Sequence, residues 1–201
     1  MTRIQFALLT LRAAALLAAL AVGGNLAVAA DAAASTLLFA DKSVLNVDAT
    51  SLDLRIENVP PREYPHVNYR SHVRFEDAAR EWAANHFMLT GNSVNALRIT
   101  VRKGDIVEKL LPVKKGFAGL FRKDQAAEYE ASLEVEMAIV DVNGKVVSSA
   151  SGKATNSRTV TEGATEQDKQ QVWMGLIVAA FDGLDKELLP QVRQVMGQYV
   201  H

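Results

Sequence analysis

Four histidines, 23 acidic side chains and no cysteine are the raw material for chemistry in this 201-residue chain. Without a thiol there is no disulfide scaffold, thiolate zinc site, iron–sulfur cluster or cysteine nucleophile. His66 and His72 flank Asn68, Tyr69 and Arg70. Six residues apart in an extended segment, their imidazoles would stand roughly 20 Å apart. They read as polar residues of a surface loop, not as metal ligands. His86 falls on the apolar side of a helical repeat and reads as packed at the core's edge, not as a general base. His201, the last residue, is expected to fray. Glu130, Glu134 and Glu136 alternate along one strand with Ser132 between them. Carboxylates spaced about 7 Å apart and all facing water form the wet side of a sheet, not a glycosidase pair. No Gly-x-Ser-x-Gly elbow, His-Glu-x-x-His, phosphate-cradling glycine loop or dinucleotide fingerprint occurs. The chain reads as non-catalytic, with no metal and no cofactor.

The segment most suited to binding is Pro112–Asp124, Pro-Val-Lys-Lys-Gly-Phe-Ala-Gly-Leu-Phe-Arg-Lys-Asp. It lies between two expected strands, where a turn is normally polar. Instead Phe117, Leu120 and Phe121 are bracketed by Lys114, Lys115, Arg122 and Lys123. Apolar groups ringed by four cations suit an anionic amphiphile, such as a headgroup surface or a phosphate-bearing lipid. The competing reading folds the apolar residues back onto the sheet edge and leaves the cations solvated.

The first thirty residues carry the pattern of a secretory leader. Arg3 and Arg12 precede an apolar run, Ala13–Val22, which breaks at Gly23-Gly24. Ala27-Val28-Ala29 then offers small residues for cleavage after Ala29 or Ala30. Only 12 apolar residues separate Arg12 from Asn25, against the roughly 20 a span requires. Removing the leader leaves 20 basic and 23 acidic side chains, a net charge of −3. That balance argues against a nucleic-acid partner, which needs a basic stripe. With no cysteine to carry a lipid, the expectation is a periplasmic or secreted protein, neither lipid-anchored nor membrane-spanning after cleavage.

The chain is 49% hydrophobic and 22% charged, so it is neither disordered nor fibrous. Residues 31–48 read as a flexible N-terminal segment in which Leu37-Leu38-Phe39 can dock, and 49–201 as one domain. Leu52–Asn58 alternates apolar and polar and predicts a strand, closed by Pro60-Pro61. Phe75, Ala78, Ala79, Trp82, His86 and Leu89 predict a helix over Arg74–Leu89. Leu97–Val101, Tyr129–Ile139 and Lys145–Val160 predict three strands, the last two joined by a hairpin at Asn143-Gly144. Ala150, Gly152 and Ala154 imply close packing over the return strand. The last helix, Thr165–Tyr199, opens on a capping pair, Thr165 and Asp168, and should kink or split at Pro190. Trp82 and Trp173, one on each helix, should fill the core. The architecture is α+β: a two-layer sandwich of about four antiparallel strands with two helices on one face.

Strand–helix–three strands–helix behind a leader resembles the auxiliary lipoproteins of ABC-type transport systems. It is also similar to the small lipoprotein that supports lipopolysaccharide assembly. The likeness spans Leu52 to Tyr199. It is carried by Leu52-Asp53-Leu54-Arg55-Ile56, the Trp82 helix, the Tyr129–Ile139 and Lys145–Val160 hairpin and the C-terminal helix. It implies a non-catalytic accessory role in moving lipid or lipopolysaccharide across the envelope, although this chain lacks the lipid-bearing cysteine. The expected partner is anionic lipid or a membrane-bound envelope protein, met through residues 114–123. The alternative is a protein-interaction module that docks another envelope protein through its acidic sheet face or an edge strand.

Overall fold

The computed structural model describes residues 38–39, 43–112 and 125–201. Its elements in chain order are β1 (Leu45–Val47), β2 (Ser51–Ile56), a 3-10 turn (Asn68–Arg70), α1 (Phe75–His86), β3 (Phe87–Leu89), β4 (Ala96–Leu110), β5 (Gln125–Val140), β6 (Val146–Thr161) and α2 (Glu166–Val195). The fold is α+β, with the main sheet ordered β2-β4-β5-β6 and both helices on its apolar face.

β4, β5 and β6 pair antiparallel, as the alternation and the hairpin predict. β2 instead runs parallel to β4, with Leu52 beside Leu97 and Ile56 beside Val101. The reason lies in what separates them: the chain crosses over through α1, and a crossover can return a strand in the same direction. A second, two-stranded sheet pairs β1 with β3 in parallel. α1 therefore ends at His86, three residues short of the predicted stop, because Phe87-Met88-Leu89 fits both periodicities and β1 offers it a ladder.

β4 is ten residues longer than its alternating core of Leu97, Ile99 and Val101 suggests. Continued by twos, the inward row would meet Lys103 and Asp105. A bulge between Val101 and Lys103 inserts Arg102, shifts the register and turns Gly104 and Ile106 inward. Gly104 is needed there, since a Cβ at this position would sit 2.9 Å from Phe75 Cβ.

α2 opens on the predicted capping box. Thr165 Oγ1 accepts from the Asp168 backbone N–H at 3.1 Å, and Asp168 Oδ2 accepts from the Thr165 N–H at 2.8 Å. The helix runs unbroken through Pro190 to Val195 instead of splitting. Proline removes one hydrogen bond, while Leu188, Leu189 and Val192 on either side remain buried against the core and hold the axis. α2 also comes close to β6. A Cβ on Gly152 would lie 2.9 Å from Leu188 Cβ, and one on Gly183 would lie 3.0 Å from Ala154 Cβ.

Both tryptophans are fully buried. Trp82 packs on Phe181 and Phe87, and Trp173 meets Tyr129 edge to face at 5.4 Å. His86 lies deeper than the core's edge, 1% exposed, with Nε2 3.1 Å from Asp185 Oδ2. Asp185 also accepts from Trp82 Nε1 at 2.9 Å, so this carboxylate joins α1 to α2. Phe39 docks on Phe181 with centroids 5.2 Å apart, and the Leu38 N–H donates to Glu81. Burial holds the Glu81 carboxyl above its ordinary value.

The chain's end is not frayed. Asn46 and His201 exchange backbone hydrogen bonds of 3.1 and 2.9 Å, the Asp48 N–H donates to the Tyr199 carbonyl, and Val200 bridges Val47. β1 has an open edge, and the last three residues fill it.

Gly152→Ala should destabilise the fold by about 1–3 kcal/mol, because the added methyl must push Leu188 and with it α2 off β6. Gly163→Ala, which adds a methyl into open space, should change stability by no more than about 0.5 kcal/mol. Urea unfolding of the two variants checks both.

Candidate functional site

One end of the sandwich gathers the last residues of β4, the first residues of β5, the segment His66–Val73 and the first turns of α2. The seven residues singled out for binding, Lys114, Lys115, Phe117, Leu120, Phe121, Arg122 and Lys123, lie outside the described residues, as does the leader. The structure does describe their roots. The β4–β5 ladder continues to Leu110 opposite Ala127, and beyond it the Leu111 N–H donates to the Ala126 carbonyl at 2.9 Å. Leu111 and Ala126 are thus held side by side, with Leu110 exposed next to them.

Beneath this end the sheet is braced by a chain of polar contacts. The hydroxyl of buried Tyr129 donates to Glu108 Oε1 at 2.7 Å, and burial followed by that carboxylate pushes the phenol far above its usual range. Arg70 lies over the Trp173 ring at 5.3 Å and pairs with Glu166 at 3.0 Å. The Gln170 amide spans the seam, donating to the Arg70 carbonyl at 2.7 Å and accepting from the His72 N–H at 2.9 Å. Alongside runs a groove of about 540 Å³ floored by Val73 and Met174 and rimmed by His72, Glu166, Gln167 and Gln170. Its signal in the sequence is Glu166, Gln170 and Met174, four residues apart on one helical face outside the apolar stripe.

His66 is more than a loop residue. The Val67 N–H donates to the Ile106 carbonyl, and the Glu108 N–H to the Pro65 carbonyl, so residues 65–67 extend the sheet beyond the point where β2 leaves β4. This places His66 Nδ1 2.8 Å from Asp105 Oδ2, over an acid only 7% exposed. Asn68 locks the same segment, donating to the Gly104 carbonyl at 2.9 Å and accepting from the Ile106 N–H at 2.6 Å. His72 is parted from this pair by the 3-10 turn and bonds through its backbone. Among the described residues no group of three or more His, Asp and Glu could hold a metal.

Glu130, Glu134 and Glu136 do line the outer face of β5, but that face is not acidic overall. Lys109 sits 2.6 Å from Glu130, Arg102 pairs with Glu136 and Glu57, and Lys103 lies opposite Glu134. Farther along, Asp53 accepts from both Arg55 and Arg98 at 2.9 Å, and these guanidinium groups hold its carboxyl below the ordinary value of 3.8. Thr90 and His201 do the same for Asp48.

No protein-family model matches this chain, and no curated protein does. Among solved structures it is similar to a minor lipoprotein from Acinetobacter baumannii, with a TM-score of 0.36 and 19% identity over 64% of this chain and 84% of that one. It is similar to the rare lipoprotein B from Shewanella oneidensis, with a TM-score of 0.36 and 18% identity over 68% of this chain and 92% of that one. It is also similar to a putative neuraminyllactose-binding hemagglutinin homolog from Helicobacter pylori, with a TM-score of 0.31 and 12% identity over 68% and 78% of the two chains. Among the described residues no helix is long and apolar enough to cross a membrane.

His66→Ala should cost about 1–3 kcal/mol in urea unfolding, because it strips a buried carboxylate of its partner. A change within about 0.5 kcal/mol would return His66 to a solvated loop. Asp48 and Asp53 have lowered folded values, so their stabilisation is complete above the unfolded value and is lost as pH falls through the folded one. Acid unfolding of Asp53→Asn should accordingly show a shallower slope below pH 3.8 than the parent protein.

Proposed function

We propose that this is a non-catalytic accessory protein of the cell envelope that meets an anionic lipid surface through the cations and phenylalanines of residues 114–123. One observation carries the reading. A fifteen-residue and a sixteen-residue strand are laddered out to Leu110 opposite Ala127, with Leu111 bonded to Ala126, which supports a reading in which the residues between them act together. Lysines and arginine near an anionic surface contribute about 1 kcal/mol each. Buried phenylalanine rings add about 1.5–3 kcal/mol apiece. A leader that ends at Ala29 or Ala30 supplies the route to the compartment where such surfaces lie.

A second reading has one observation in its favour. The groove of His72, Gln170 and Met174 opens at the same end, and its amide rim suits the backbone of a membrane-bound protein.

Co-sedimentation with vesicles of phosphatidylglycerol and of phosphatidylcholine separates the two. The protein should pellet with the anionic vesicles and be released by salt. Phe117→Ser with Phe121→Ser should weaken that binding by roughly tenfold or more. Equal pelleting of parent and variant removes these residues from the account, and no pelleting with either vesicle favours the protein partner.

A further inference from the structure

The sheet has one long open edge. β6 pairs with β5 on one side, and α2 covers its inward side chains, yet among the described residues no backbone group bonds to its other side. The open stretch is sixteen residues, about 50 Å of unpaired N–H and C=O groups at strand rise. The opposite margin of the sheet, β2, is only six residues long.

Proteins usually blunt such an edge with proline, a bulge or inward-pointing charge. β6 contains no proline, and the irregularities in its ladder fall at the strand ends, between Gln125 and Ala127 and between Ile139 and Val140. Its outward row is exposed and, apart from Lys153, small: Ser149, Ser151, Lys153, Thr155, Ser157 and Thr159. What remains is charge of one sign. From Lys145 to Thr161 the chain itself carries Lys145, Lys153 and Arg158 and no acid, although Lys153 already has Glu134 of β5 opposite it in the ladder.

That charge decides the occupant. Antiparallel pairing of β6 with a second copy in the register that has Lys153 at its centre sets this lysine against its own counterpart, and like charges directly opposite destabilise a ladder. A strand carrying carboxylates gains instead at the same position. We propose that the free edge of β6 accepts an extended, acidic segment of another polypeptide as a fifth strand of the sheet. The backbone ladder supplies the affinity and Lys153 selects the sign of the partner's charge. This inference does not rest on the proposed lipid contact, which involves residues 114–123 and no residue of β6.

Amide hydrogen exchange of the full chain reads it directly. The probes are a short peptide alternating Glu with Val and its counterpart with Lys in place of Glu. The Glu peptide should slow exchange at alternate amides between Val147 and Val160 by about tenfold or more. The Lys peptide should leave them unchanged. Lys153→Glu alters an exposed side chain and should weaken binding of the Glu peptide by roughly fivefold to tenfold while restoring binding of the Lys peptide. Protection by neither peptide, or by both equally, overturns the proposal. Edge amides already protected without peptide, in a chain that sediments as a dimer, overturn it in favour of a second copy.

Discussion

A single inserted residue in β4 governs how this molecule is assembled. Arg102 bulges out between Val101 and Lys103, and the strand continues with its faces exchanged. Before the bulge Leu97, Ile99 and Val101 face the helices; after it Gly104 and Ile106 do. Without the bulge a lysine and an aspartate would enter the apolar layer, at a cost no nearby partner offsets. With it, β4 keeps ladder partners on both sides for nearly its whole length: β5 along one edge, then β2 and residues 65–67 in succession along the other.

The same shift organises the charges. Arg102 leaves the ladder and reaches Glu57 on one side and Glu136 on the other, while Lys109 meets Glu128 and Glu130. A row of glutamates on β5 that would repel itself is thereby interleaved with cations from β4. Exposed pairs of this kind contribute little each to stability. Their larger effect is on recognition, because the broad outer face is left with no single sign. Cations without an intervening acid recur in sequence at residues 114–123 and along β6.

Much of the layout was legible from residues alone. Long clean alternation fixes β5 and β6, since a strand with one wet face must repeat by two, and Asn143-Gly144 supplies the turn between them. The capping pair at Thr165 and Asp168 marks the start of α2, because both ends of that motif are local. The apolar stripes place Trp82 and Trp173 in the core, while His86, read as packed at its edge, lies deeper than its stripe indicates. What stayed hidden depends on partners far along the chain. Phe87-Met88-Leu89 becomes a strand because β1 lies forty residues back with an open edge, and the last three residues are held for the same reason. His66 finds Asp105 only because the irregular segment around it is recruited to β4.

By itself the sequence determined which segments alternate by two and which by 3.6, where a helix is capped, and where cations and aromatic rings are concentrated. These are properties of neighbours within a few residues. Only the tertiary structure decided the direction of β2, the register change at Arg102, the neutralisation of the glutamate row and the place of β6 at the margin of the sheet among the described residues. Each of these is a pairing between residues distant in the chain, and such pairings are chosen by competition for ladder partners and buried area that no local pattern records.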